Sequence, residues 1–300
     1  MRIVPLAFAA AIAVASCTAP ATSVATATPM LAATPTDTPS PSPSESPTPT
    51  PQPARHVFVI VMENTSLAAA LRAPSIAKLA ATYALAANYH AVASPSLPNY
   101  LAMTSGSTYG IGDNGYYPLP PGGLGAQLTA AGVMWRAYME GLTDAGGCLR
   151  SPYPYALKHN PFAYYGGACP ENVVPLEALD ADLAGNTPRL AWITPGLCHD
   201  AHDCPIDEAG EWLAGLVAKI VASRAWQENG VLFVVWDEGS SGSDLAPLIV
   251  ARPGLAGGRS EVAYDHYSLL ATVEDIFGLP RLGAAKDADP LTDLVPRTGR

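Results

Sequence analysis

His56-Val57-Phe58-Val59-Ile60-Val61-Met62 is a continuous apolar, largely β-branched run, and Glu63-Asn64 follows it directly. A strand with one wet face alternates polar and apolar residues; this one does not, so it reads as a strand buried on both faces, the habit of parallel sheets. Working outward, the pattern predicts a helix over 75–87, a short helix over 124–131 and a strand over 133–139. A helix over 178–184 and a strand over 189–194 come next, then a long amphipathic helix over 208–223 and a second buried strand over 231–236. A short strand over 247–251 and a helix over 267–277, ended by Gly278 and Pro280, complete the series. Strands alternating with helices predict an α/β fold with a mostly parallel central sheet and helices on both faces.

Ligands of such sheets bind beyond the carboxyl ends of the strands. Those ends are acidic. Glu63-Asn64 follows the first strand and Asp237-Glu238 follows 231–236. Cys198-His199-Asp200-Ala201-His202-Asp203-Cys204 lies beyond 189–194, and Asp265-His266 precedes the last helix. Glu63, Asn64, Asp237 and Glu238 make an oxygen set suited to a hard divalent cation. Ser94-Pro95-Ser96-Leu97-Pro98-Asn99-Tyr100 adds two serines on a stiff turn. Its prolines are expected to delay a helix until Leu101, leaving a hydroxyl near a helix N-terminus, where backbone N–H groups can meet a phosphate.

The first 17 residues read as a signal peptide: Arg2, an apolar run over 3–14, then Val14-Ala15-Ser16-Cys17. That ending resembles a bacterial lipobox, which implies a lipid on Cys17 and a membrane or cell-surface location, or secretion. Residues 18–54 hold ten of the 30 prolines, among Thr, Ser and Ala, and read as an unfolded stalk. Residues 55–300 are then one catalytic domain. A net charge of −10 argues against a nucleic-acid surface. Beyond Cys17, four cysteines remain, an even number outside the cytoplasm. Neighbourhood in sequence suggests Cys198 with Cys204 and Cys148 with Cys169, although spacing alone does not fix the pairing. There is no G-x-S-x-G elbow, H-E-x-x-H, P-loop or Cys-x-Pro-x-Arg.

Four blocks, Val61-Met62-Glu63-Asn64, Pro95 to Gly106, Trp236-Asp237-Glu238-Gly239 and Tyr264 to Leu270, together resemble the bacterial phosphoesterase family of acid phosphatases and non-haemolytic phospholipases C, within the alkaline-phosphatase-like superfamily. The resemblance implies that Ser96, rather than Ser94, is the nucleophile, and that Glu63, Asn64, Ser96, Asp237 and Glu238 are metal ligands. It implies that Asn114 binds a phosphate oxygen, and that His159, His202 and His266 face the substrate. Thr65-Ser66-Leu67-Ala68 departs from the acidic, aromatic run of the phospholipase branch, and His199 stands where an amide is expected. The implied activity is metal-dependent hydrolysis of phosphate esters through a phosphoserine on Ser96, with a histidine protonating the leaving oxygen. Phosphodiesterase or phospholipase C-type cleavage is the neighbouring reading. A non-catalytic, surface-anchored binding lipoprotein on the same fold is the contrasting one.

Overall fold

A computed structural model describes residues 56–143, 147–241, 244–255 and 257–296. The segments read above as signal peptide and stalk, with Cys17, lie outside the described residues. Among the described residues there are ten strands: β1 (His56–Met62), β2 (Ala84–Ala86), β3 (Tyr89–His90), β4 (Trp135–Met139), β5 (Val173–Pro175), β6 (Leu190–Thr194), β7 (Gly230–Trp236), β8 (Leu248–Ala251), β9 (Gly258–Ser260) and β10 (Tyr264–Asp265). The helices are α1 (Leu67–Ala70), α2 (Pro74–Thr82), α3 (Ser96–Ser105), α4 (Gly123–Ala130), α5 (Ala178–Ala184), α6 (Ile206–Ala222), α7 (Arg224–Asn229) and α8 (His266–Phe277).

Eight strands form one sheet in the order β5-β4-β6-β1-β7-β8-β2-β9, and β10 pairs with β3 separately. From β5 to β7 every pairing is parallel; β8 runs antiparallel to both β7 and β2. All seven residues of β7 and all but the first of β1 are buried. Successive side chains point to opposite faces, so both faces of these central strands are covered. Helix α2 packs with α6, and α3 with α8. The α/β sheet read from the sequence is the observed one, and among the described residues no helix is long and apolar enough to cross a membrane.

Two boundaries differ from expectation by more than two residues. The helix expected over 75–87 stops at Thr82, and Ala84–Ala86 instead forms β2 between β8 and β9. Alanine and leucine favour helix on their own, so here pairing with β8 and β9 overrides local propensity. Helix α3 begins at Ser96, not Leu101. Pro98 falls in its first turn, where the missing N–H had no partner to lose. Gly106 closes α3 in the left-handed conformation at φ 69°.

Both disulfides join the neighbours in sequence, Cys148–Cys169 and Cys198–Cys204. Such bonds persist in oxidising, extracytoplasmic compartments.

Candidate active site

The parallel register of β1 and β7 ends with Met62 opposite Trp236, so Glu63 and Asp237 leave the sheet side by side. The Asp237 N–H donates to the Met62 carbonyl at 3.0 Å, and the Glu63 N–H to the Asp200 carbonyl at 3.0 Å. Asn64, exposed and left-handed at φ 44°, donates its backbone N–H to Asp237 Oδ1 at 3.0 Å; the Glu238 N–H reaches the same oxygen at 2.7 Å. Two backbone donors thus fix one Asp237 oxygen, while Oδ2 is buried without a hydrogen-bond donor.

Ser96 is the first residue of α3 and is 2% exposed. Its Oγ donates to Glu63 Oε1 at 2.8 Å. The next N–H in the helix, that of Leu97, donates to Asn114 Oδ1 at 3.1 Å, which ties the exposed 107–120 loop to this turn. Ser94 and Ser96 both face Glu238.

The structure adds two groups that the sequence reading passed over. Lys158 Nζ donates to Glu63 Oε1 at 3.0 Å. Asp200 lies on the far side of His159, whose Nδ1 is 3.2 Å from Asp200 Oδ2 and whose Nε2 is 3.2 Å from Glu63 Oε2. The His159 ring stacks on Tyr100 at 5.0 Å. Asp200 carried a signal, since it lies in the acidic loop beyond β6. Lys158 carried none beyond its place beside His159.

The histidines separate. His159 is buried between two carboxylates. His266 is fully buried, with Nδ1 2.8 Å from the Tyr89 hydroxyl and Nε2 2.5 Å from the Asp237 carbonyl. It lies behind Asp237 with both nitrogens engaged, not facing a substrate. Exposed His202 has Nδ1 2.6 Å from Asp203 Oδ1 and its backbone N–H on Asp200 Oδ1. His199 turns to Glu140 Oε1, at 2.7 Å, and stacks on Trp212.

The electrostatics follow from crowding charges out of water. Burial, then the facing Glu63 and Glu238, pushes the Asp237 carboxyl well above the usual range. Burial also works against the Glu63 anion, but His159 and Lys158 outweigh it and hold that carboxyl well below. For His159 burial opposes the charge, yet Glu63 and Asp200 raise it to about 9. Four carboxylates, Glu63, Asp200, Asp237 and Glu238, face two cationic groups. The crowding of these carboxyl groups and the buried Asp237 Oδ2, which lacks a donor, suit a hard divalent cation that Glu63, Asn64, Asp237 and Glu238 would hold.

A parallel sheet with an acidic, serine-bearing edge defines a class, α/β proteins whose site lies beyond the carboxyl ends of the strands, and solved structures agree on the fold. The chain superposes on a protein of the alkaline phosphatase superfamily from Vibrio parahaemolyticus with a TM-score of 0.56 at 11% identity, covering 78% of this chain and 70% of that one. A phosphonate monoester hydrolase from Silicibacter pomeroyi gives 0.51 at 12%, covering 82% and 78%. Within that class the chain belongs to the phosphoesterase family, whose model matches residues 69–244. It is 34% identical over 248 residues to a phosphatidylinositol-3-phosphatase of Mycobacterium tuberculosis, covering 80% of this chain and 82% of that protein. It is 28% identical to a phosphate-repressible acid phosphatase of Penicillium chrysogenum, covering 75% of this chain but 59% of the longer fungal protein. The chain is therefore a hydrolase of phosphate esters.

Proposed function

We propose that the hydrolysis runs through Ser96 as phosphoryl acceptor and depends on a divalent cation held by Glu63, Asn64, Asp237 and Glu238 together with Ser96. The observation that carries this reading is the 2.8 Å bond from Ser96 Oγ to Glu63 Oε1 at the first turn of α3. It aims the hydroxyl proton at a carboxylate and sets the oxygen at the N-terminal turn of α3. A cation bound there would lower the hydroxyl pKa of Ser96 and offset charge on the phosphoryl oxygens.

Ser96 Oγ bonds to phosphorus as the ester oxygen departs. That oxygen needs a proton, and His202 is suited to give it, being open to solvent with Nδ1 held by Asp203. Water then attacks the phosphoserine, releasing inorganic phosphate and restoring Ser96. Asn114, whose Oδ1 accepts from the Leu97 N–H, would bind a phosphoryl oxygen at the same turn. His159 holds Glu63 in its charged form, and His266 positions Asp237.

The test is hydrolysis of p-nitrophenyl phosphate and its bis-ester, with chelator and with calcium, magnesium, manganese or zinc restored. A monoester on a lipid headgroup, the substrate class in the name of the Mycobacterium relative, belongs in the same panel. Chelation should abolish turnover, and Ser96→Ala should lower kcat at least about 10³-fold. Acid-quenched enzyme should carry phosphate on the Ser96 peptide. Turnover surviving in Ser96→Ala, or none with any metal, overturns the reading. We further propose a lipid tether at Cys17; Cys17→Ala should then move the protein from the membrane fraction to the soluble one.

A further inference from the structure

We propose that Lys158 contacts the phosphoryl group and tilts the site toward dianionic phosphate monoesters over monoanionic diesters. This rests on Ser96 being the phosphoryl acceptor. Lys158 Nζ and Ser96 Oγ bond to the same oxygen, Glu63 Oε1, at 3.0 and 2.8 Å, so the ammonium is a neighbour of the accepting hydroxyl. The Lys158 side chain is 17% exposed against 1% for Glu63, so the lysine is the solvent-reachable member of the pair and the carboxylate the buried one. An ammonium has three N–H donors, and the bond to Glu63 uses one.

The turn that presents Lys158 is fixed. The Leu157 N–H donates to Ser151 Oγ at 2.9 Å, His159 stacks on Tyr100, and Asn160 Nδ2 donates to the Tyr155 hydroxyl at 2.9 Å. Lys158 also acts on Glu238, the other carboxylate beside Ser96. Among these groups His159 is sealed between Glu63 and Asp200, which leaves Lys158 as the cationic side chain that an entering anion reaches. A monoester dianion has one more charged non-bridging oxygen than a diester, and a fixed cation beside the acceptor favours it.

The experiment compares the metal-loaded wild type with Lys158→Met, Lys158→Gln and Lys158→Arg. Two quantities are read: the Kd for inorganic phosphate by calorimetry, and the ratio of kcat/KM for p-nitrophenyl phosphate to that for its bis-ester. Loss of the charge should weaken phosphate binding about tenfold or more and cut the ratio about tenfold, with Arg restoring both to within a few-fold. A lysine that only neutralised Glu63 would change both esters equally. Unchanged phosphate affinity in the two neutral variants, or an equal loss on the two esters, overturns the proposal. If the wild type turns over neither ester but loses phosphate binding in the neutral variants, the catalytic reading of Ser96 fails and the contact by Lys158 stands.

Discussion

Ser96 and Glu63 are 33 residues apart and are joined by a 2.8 Å hydrogen bond between the first turn of α3 and the end of β1. Glu63 is the node of the site, since Lys158 shares its Oε1 and His159 faces its Oε2. Glu63→Gln keeps an oxygen for Ser96 but removes the charge that both cations answer. Metal affinity should fall about 10–100-fold and kcat about 10²-fold or more. Metal titration and steady-state kinetics on the folded variant check this, and undiminished metal affinity would remove Glu63 from the ligand set.

The groups behind Asp237 are as specific. The Tyr89 hydroxyl holds His266 Nδ1, and His266 Nε2 in turn meets the Asp237 carbonyl. Tyr89→Phe deletes one buried hydroxyl and leaves the ring without that partner. The expected cost is about 1–3 kcal/mol of stability and a loss of metal affinity of about tenfold. Denaturant unfolding and metal titration measure the two separately; unaltered metal affinity would confine His266 to a packing role.

Most of the frame was legible because periodicity reports burial. The unbroken apolar runs at 56–62 and 230–236 are the two central strands, and the oxygen-rich residues after them meet at one edge as parallel topology requires. Where tertiary context overrides local preference, the expectation differs from the structure. Ala84–Ala86 could be helix or strand until β8 and β9 lie beside it, and Pro98 looks like a helix breaker until its place in the first turn is known. The site was legible wherever its residues follow strands. Lys158 enters from a turn far along the chain, and the burial of His266 behind Asp237 depends on packing that no spacing encodes.

Glu274 gives a pH signature outside the site. It is buried on α8, with Oε1 accepting from the Leu282 N–H at 2.9 Å and Oε2 unpaired. Burial pushes its carboxyl from 4.5 to about 8, against the pull of the Leu282 N–H and Arg281, which is itself paired with Asp275. The folded chain thus binds the proton more tightly than the unfolded one. Stability from this group is complete below about pH 4.5 and is lost as pH rises to about 8. Glu274→Gln should be the more stable protein at pH 8, with the difference in Tm closing toward pH 4.5. Parallel Tm curves for the two proteins would contradict the assignment.

The two disulfides should part stability from activity. In the chain-entropy account a longer closed loop stabilises more, about 3 kcal/mol for a span like Cys148–Cys169 and about 2 kcal/mol for one like Cys198–Cys204. These spans are 21 and 6 residues. The shorter one, however, clasps Asp200, whose carbonyl receives the Glu63 N–H and whose carboxylate faces His159. The same loop is tied by the Asp203 N–H to the Leu197 carbonyl at 2.7 Å. Replacing Cys198 and Cys204 with serine should therefore lower Tm less than replacing Cys148 and Cys169, yet lower kcat/KM more, by about tenfold or greater at 25 °C, because small displacements of a positioning group are costly. Melting curves and p-nitrophenyl phosphate kinetics on the two double variants decide it. If activity follows Tm in the same order for both, the 198–204 loop contributes only stability, and Asp200 keeps its place on His159 without the clasp.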